Sequence, residues 1–193
     1  MNKYLRKLAI EVLKNSPEGL SKVKFAKIIY FIHKGLVTSK LSAIEDLKFI
    51  RMPLGPVPVG FMGLSEDPAF NVSKITNMGP VYNSQIYKIK DNQQSSNDDN
   101  FSVTVKKLFG QLNKLTTSDL VEKSHQEPSW IKNANGAMYF INDADLAKPL
   151  PKNTEMTVGG DENQRLQEKL VEGMLDDIVS GSTSLEYPDS NKQ

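Results

Sequence analysis

The sequence predicts an α+β fold, predominantly α-helical, built as a single domain with a small strand pair and a C-terminal amphipathic helix. Three observations carry this expectation. Apolar residues recur at three- and four-residue spacing in several separate stretches. Two short segments instead read as strands, Leu47 to Met52 and Gln85 to Ile89. Prolines and glycines cluster between them at Pro53, Gly55, Pro56 and Pro58, which excludes a continuous helix or central strand there.

Taken in order, Leu5, Leu8, Ala9, Val12 and Leu13 mark an amphipathic helix over about residues 2 to 14, and Asn15-Ser16-Pro17-Glu18-Gly19 breaks it. Ser21 is placed to cap a second helix and Gly35 to stop it. Between them, Val23 to Ile32 is apolar around most of its circumference except for a lysine edge, so this helix belongs in the middle of the core. The stretch from Leu47 to Met52 reads as a short strand entering a rigid turn at Gly55 to Pro58. Phe61 to Leu64 adds a helical turn, and Gln85 to Ile89 pairs with the first strand or with one near Asn71 to Ile75. Asp91 to Asn100 holds no apolar residue and is expected to be a flexible loop.

Helical spacing returns at Val105, Leu108, Phe109, Leu112 and Leu115. Thr117 or Ser118 can cap the next helix, which carries Leu120 and Val121 and ends before Pro128. Beyond Trp130 the pattern becomes irregular, and residues 141–160 read as a connector. Asp161 and Gln164 then open a capping box, and the apolar stripe from Leu166 to Val179 predicts a helix over 161–180. Residues 181–193 lack the apolar content to fold and read as a disordered tail.

The chain has 193 residues, a net charge of +1 and no cysteine. Disulfides, a thiolate nucleophile and a cysteine-based zinc site are therefore excluded. No apolar run reaches the ~20 residues of a membrane span. The basic start at Met1 to Lys7 leads into a helix with Glu11 and Lys14 rather than a signal peptide's apolar block, so a cytoplasmic location is expected. Charge is uneven: residues 1–60 hold eleven Lys/Arg against four Asp/Glu, and residues 150–193 hold four against nine. The two ends can attract one another or meet different partners, unless they are simply solvated helix faces.

Chemistry is sparse. His33 and His125 are the only histidines. His33 is read as support for the C-terminal end of its helix. Ser124-His125-Gln126-Glu127-Pro128-Ser129-Trp130 gathers hydroxyls, an imidazole and a carboxylate, but neighbours on one turn do not converge on a substrate as a triad does. A hydrolase centred on His125 is thus the weakest reading. No metal-ligand spacing is present, and Gly159-Gly160 precede acidic residues that would repel phosphate, so no metal and no cofactor are expected. Lys22, Lys24, Lys27 and Lys34 with Lys3, Arg6, Lys7 and Lys14 suggest a basic patch and a DNA-binding regulator. Against this stand the apolar second helix and a pI near 7.8.

Three blocks in order carry a family resemblance: Val23-Lys24-Phe25-Ala26-Lys27-Ile28-Ile29-Tyr30-Phe31, then Arg51-Met52-Pro53-Leu54-Gly55-Pro56-Val57-Pro58, then Leu120 through Trp130. Together, over about residues 3 to 132, they resemble the Panacea (SocA-like) antitoxin family, with its "KLQKLLYF" helix, "GPV-P" turn and "S-H…P-W" segment. The resemblance implies a Panacea-like domain over 1–140, with the flexible loop 91–100 inside it. It implies an antitoxin of a toxin–antitoxin system, phage-associated in some settings, that neutralises a cognate protein toxin by direct binding. A proteolytic adaptor that delivers a partner to a protease is the alternative it carries. "KFAKIIYF" departs from the glutamine-bearing form of the helix, which removes a polar contact. On this reading the chain is no enzyme, and Arg51, Pro56, Pro58, His125 and Trp130 form the partner-facing rim, rigid and aromatic as protein recognition favours.

Overall fold

A computed structural model describes residues 2–76, 83–90 and 99–152. The expected helix over 161–180 and the tail lie outside the described residues. What is described is one domain of mixed α+β architecture, with two small sheets set around a central helix.

The first helix, α1 (Lys3–Lys14), buries Leu5, Leu8, Ala9, Val12 and Leu13, the stripe its spacing predicts. Asn2 caps it by accepting from the amides of Tyr4 and Leu5. A two-residue strand, β1 (Leu20–Ser21), leads into α2 (Lys22–Thr38), whose residues are all buried except Lys24, Val37 and Thr38. This helix is the core. Phe25, Ile28, Ile29, Tyr30, Phe31 and Ile32 are fully enclosed, and each such apolar side chain contributes about 1.5–3 kcal/mol by leaving water. Ser21 holds the N-cap position, although its side chain makes no capping bond.

Two expectations for α2 are corrected. Gly35 does not stop the helix, which runs to Thr38. It is a contact point: a Cβ there would sit 2.6 Å from Leu108, so glycine lets α3 (Asn100–Leu112) approach α2 closely. His33 consequently lies inside the helix, fully buried, and not at its end. Its Nδ1 faces the Tyr4 hydroxyl at 3.0 Å, and burial pulls its pKa down to about 4, so the ring is neutral.

The proline segment differs too. β2 (Phe49–Met52) and β3 (Gly55–Pro58) pair antiparallel, with Met52 opposite Gly55 and Phe49 opposite Pro58. The turn is Pro53-Leu54, and Gly55 to Pro58 is a strand. It tolerates prolines because it lies at the edge of the sheet β3-β2-β6, where a missing N–H costs no ladder bond. A short 3₁₀ helix, Phe61–Glu66, covers the expected turn. β4 (Phe70–Thr76) and β5 (Asn83–Ile89) form the second sheet with β1, in the order β1-β5-β4. The strand at Gln85 to Ile89 therefore pairs with the one near Asn71, not with β2.

Asp99 and Asn100, expected in the loop, belong to α3: Asp99 accepts from the amide of Ser102 as its cap. α3 buries Phe101, Val105, Leu108, Phe109 and Leu112. Thr116, one residue earlier than expected, caps α4 (Thr117–His125) in a reciprocal box with Asp119. Beyond Trp130 the chain is not simply irregular, and the regular elements begin at Pro128. Pro128 opens α5 (Pro128–Lys132) at a position where its absent N–H is harmless. Then come β6 (Met138–Tyr139), which pairs with β2, and α6 (Asp143–Ala147), capped by Asn142. α6 lies within the expected connector 141–160.

Candidate functional site

The site forms where α2, the β2–β3 hairpin, α4 and α5 meet. Trp130, half-buried on α5, is its centre. The His125 ring stacks on the indole with centroids 4.2 Å apart and planes 15° from parallel. The Arg51 guanidinium carbon stands 4.1 Å from the same indole centroid. Imidazole and guanidinium thus both pack against the indole. Hydrogen bonds fix the stack at its margins. The Trp130 indole N–H donates to the Met52 carbonyl at 3.0 Å, and Arg51 Nε donates to the Trp130 carbonyl at 3.3 Å. Arg51 Nη1 also donates to Asn135 Oδ1 at 2.8 Å. Burial, then the positive charges of Lys27 and Arg51, lower the His125 pKa, so a neutral ring faces the indole at neutral pH. The cation over the indole contributes about 0.5–2 kcal/mol to holding Arg51 in place.

Beneath this surface lies a set of buried charges. Lys34 Nζ pairs with Glu127 Oε2 at 2.7 Å, both side chains almost wholly enclosed, and Tyr30 donates to the same oxygen at 3.3 Å. Burial raises the Glu127 pKa, opposed by Lys34. Glu127 is the N-cap residue of α5, so this pair ties the start of that helix to the core. Asp145 of α6 clamps Ser129, two residues on: its Oδ1 accepts the Ser129 amide at 2.8 Å, and its Oδ2 accepts the Ser129 hydroxyl and the Asn142 amide. Trp130 is thus presented from a helix pinned at Glu127 and at Ser129.

Lys27 is also buried and donates to the Pro56 carbonyl at 3.0 Å, stitching α2 to the hairpin that carries Arg51. Gly55 makes room for it. With φ at +99°, it occupies a left-handed conformation that glycine takes without strain, and a Cβ there would overlap Ser124 Oγ and lie 2.9 Å from Lys27 Cε.

Of the residues expected on the rim, Arg51, His125 and Trp130 come together. Pro56 and Pro58 are buried in β3 and are not at the surface. The lysine edge of α2 is mostly interior: Lys22, Lys27 and Lys34 are each about 1–2% exposed, which removes them from the basic patch that suggested DNA binding. The neighbours of His125 that suggested a hydrolase have other partners. Ser124 donates back to the Val121 carbonyl, Ser129 is held by Asp145, and Glu127 by Lys34. Among the described residues no group of three or more histidines and carboxylates is placed to hold a metal ion. None of the described helices is long and apolar enough to cross a membrane.

Sequence reasoning missed the Lys34–Glu127 pair, the Asp145 clamp, and two exposed apolar side chains, Ile131 next to Trp130 on α5 and Met138 on β6. One signal was present. Lys27, Tyr30 and Lys34 recur at i, i+3 and i+7 in an otherwise apolar helix, which sets three polar heads on one inward face.

The fold and this surface define a small α+β domain that presents a clamped aromatic stack. Residues 25–131, more than half of the chain, match the family model of the antitoxin SocA-like Panacea domain, and the chain belongs to that family. The matched stretch runs from α2 to α5 and leaves α1 outside. No curated protein and no solved structure matches the chain.

Proposed function

We propose that this protein is an antitoxin that neutralises a cognate protein toxin by direct binding, and that the toxin meets it at the Arg51–Trp130–His125 face. The observation that carries the reading is the clamped stack itself. A large aromatic side chain is half-buried at the surface, immobilised by hydrogen bonds and a guanidinium against its ring, and followed on α5 by Ile131, which is 61% exposed. Rigid Trp and Arg anchors beside open apolar surface are the features that concentrate binding energy in protein interfaces. Family membership supplies the kind of partner.

The test is co-expression with the product of the adjacent gene. That product is expected to arrest growth alone and to be harmless with this chain, in a complex recovered at equal stoichiometry. Arg51→Ala and Ile131→Asp are each expected to weaken the complex at least tenfold, about 1.4 kcal/mol, without unfolding the protein. Protection that persists without a complex, through loss of the partner to proteolysis, would replace neutralisation by binding with delivery to a protease. Full-strength binding by both variants would remove this face as the site.

A further inference from the structure

Where the chain leaves α6, it forms one wall of a groove of about 340 Å³, whose other walls are the last turn of α2 and one side of α3. A water molecule takes roughly 30 Å³, so this space fits side chains. Its lining is apolar at Leu108, Leu146 and Leu150. Gly35 lets two of them close in: a Cβ there would stand 2.6 Å from Leu108 and 3.1 Å from Leu150. Cations stand at the rim. Lys148 and Lys152 line the groove, and Lys107 lies one turn before the lining residue Gln111 on α3, hence on the same side of that helix. None of the lining residues is acidic. The carboxylates nearby are committed elsewhere: Glu127 is buried against Lys34, with Lys148 also acting on it, and Asp145 is buried on Ser129 and Asn142. Asp143 is exposed at the start of α6 and does not line the groove.

The chain itself carries a matching segment a short way on. Residues 161–180, outside the described residues, hold six Asp/Glu against two Lys/Arg, and Leu166, Leu170, Met174 and Ile178 recur at every fourth position. That spacing predicts one apolar stripe with carboxylates beside it. Residues 153–160 join Lys152, at the groove, to this segment, a reach of up to roughly 30 Å at about 3.3–3.6 Å per residue. So short a tether holds the segment near its own groove at an effective concentration in the millimolar range, which favours this chain over a second copy. We propose that residues 161–180 dock in the groove of the same chain as an amphipathic helix. Its apolar stripe meets Leu108, Leu146 and Leu150, and its carboxylates turn toward Lys107, Lys148 and Lys152. Half of the lining, Leu146 to Lys152, lies beyond the matched residues 25–131, as the segment does, so groove and occupant extend the family domain together. This goes beyond the Trp130 reading and does not depend on it.

Because the chain has no cysteine, a nitroxide can be placed at one chosen position of the full-length protein. A label at Gln111→Cys, on the rim, is expected to broaden the amide signals of 161–180 at least threefold more than a label at Ser73→Cys, an exposed position on β4 that does not line the groove. Leu170→Asp with Met174→Asp removes two apolar anchors and is expected to abolish that difference and to shift the amides of Thr38 and Leu146, while those of α1 stay in place. Lys107→Glu with Lys152→Glu, both at exposed positions, is expected to cut the broadening at least twofold. Isotope-labelled chain without nitroxide, mixed with unlabelled chain that carries it, is expected to show no broadening. Equal broadening from the two label positions would overturn the proposal, as would a difference that survives Leu170→Asp with Met174→Asp, since a tethered but undocked segment behaves in that way. Broadening in the mixture would place the segment in a second copy and overturn docking within one chain. Groove amides that respond to the toxin but not to the paired Asp changes would assign the groove to the toxin and overturn it too.

Discussion

Lys27 offers a test of how the core is wired. Its amine is buried between α2 and the β2–β3 hairpin, with the Pro56 carbonyl as its acceptor, and burial lowers its pKa from 10.5 to about 7. The unfolded chain therefore holds the proton more tightly than the folded one throughout that interval, and stability must rise as pH rises across it. The full shift corresponds to an upper bound of roughly 5 kcal/mol, and the part between about pH 7.5 and 9.5 to roughly 2–3 kcal/mol. The buried phenols of Tyr4, Tyr30 and Tyr139 are pushed upward and act in the opposite sense, but only above about pH 10, where unfolded tyrosines ionise. Urea unfolding followed by the fluorescence of Trp130, the chain's single tryptophan, is the assay. The midpoint of the native protein is expected to climb by about 1–2 M across the window, for a slope of roughly 1–3 kcal/mol per molar urea. Lys27→Met is expected to flatten that climb. Parallel curves for the two proteins, within about 0.5 kcal/mol, would show that Lys27 reaches water and would refute the reasoning.

Two further perturbations address the supports of Trp130. Glu127→Gln leaves the Lys34 ammonium buried without its carboxylate and is expected to cost about 3–5 kcal/mol in urea unfolding, most of it recovered when Lys34→Met is added. A cost below about 1 kcal/mol for the single change would mean the pair is solvated. Gly55→Ala places a Cβ against Ser124 and Lys27 at a positive φ and is expected to cost at least about 2 kcal/mol. An unchanged thermal midpoint would show that both side chains relax freely.

The local elements with clean periodicity were legible without coordinates. The stripe of α1, the apolar girth of α2, and the spacing of Val105 to Leu112 in α3 each predicted a face that is buried in the structure. Errors came where a residue's role depends on what lies opposite. Gly35 reads as a helix stop in isolation, yet it admits Leu108. Thr116 rather than Thr117 caps α4 because the reciprocal bond to Asp119 selects it. β6 and α6 have too few residues to show a period, and they exist because β2 and Ser129 supply their bonding partners.

By itself the sequence determined that α1, α2, α3 and α4 form, that α2 is central, and, through three ordered blocks, the family, because helical spacing and motif order are properties of neighbours along the chain. Only the tertiary structure decided that three of the lysines on α2 face inward, that Pro56 and Pro58 are buried in an edge strand, and that Arg51, His125 and Trp130 stack together. Charge in a sequence carries no direction. Whether a lysine meets water or a carboxylate 93 residues away is set by packing between elements, and that is information no local pattern contains.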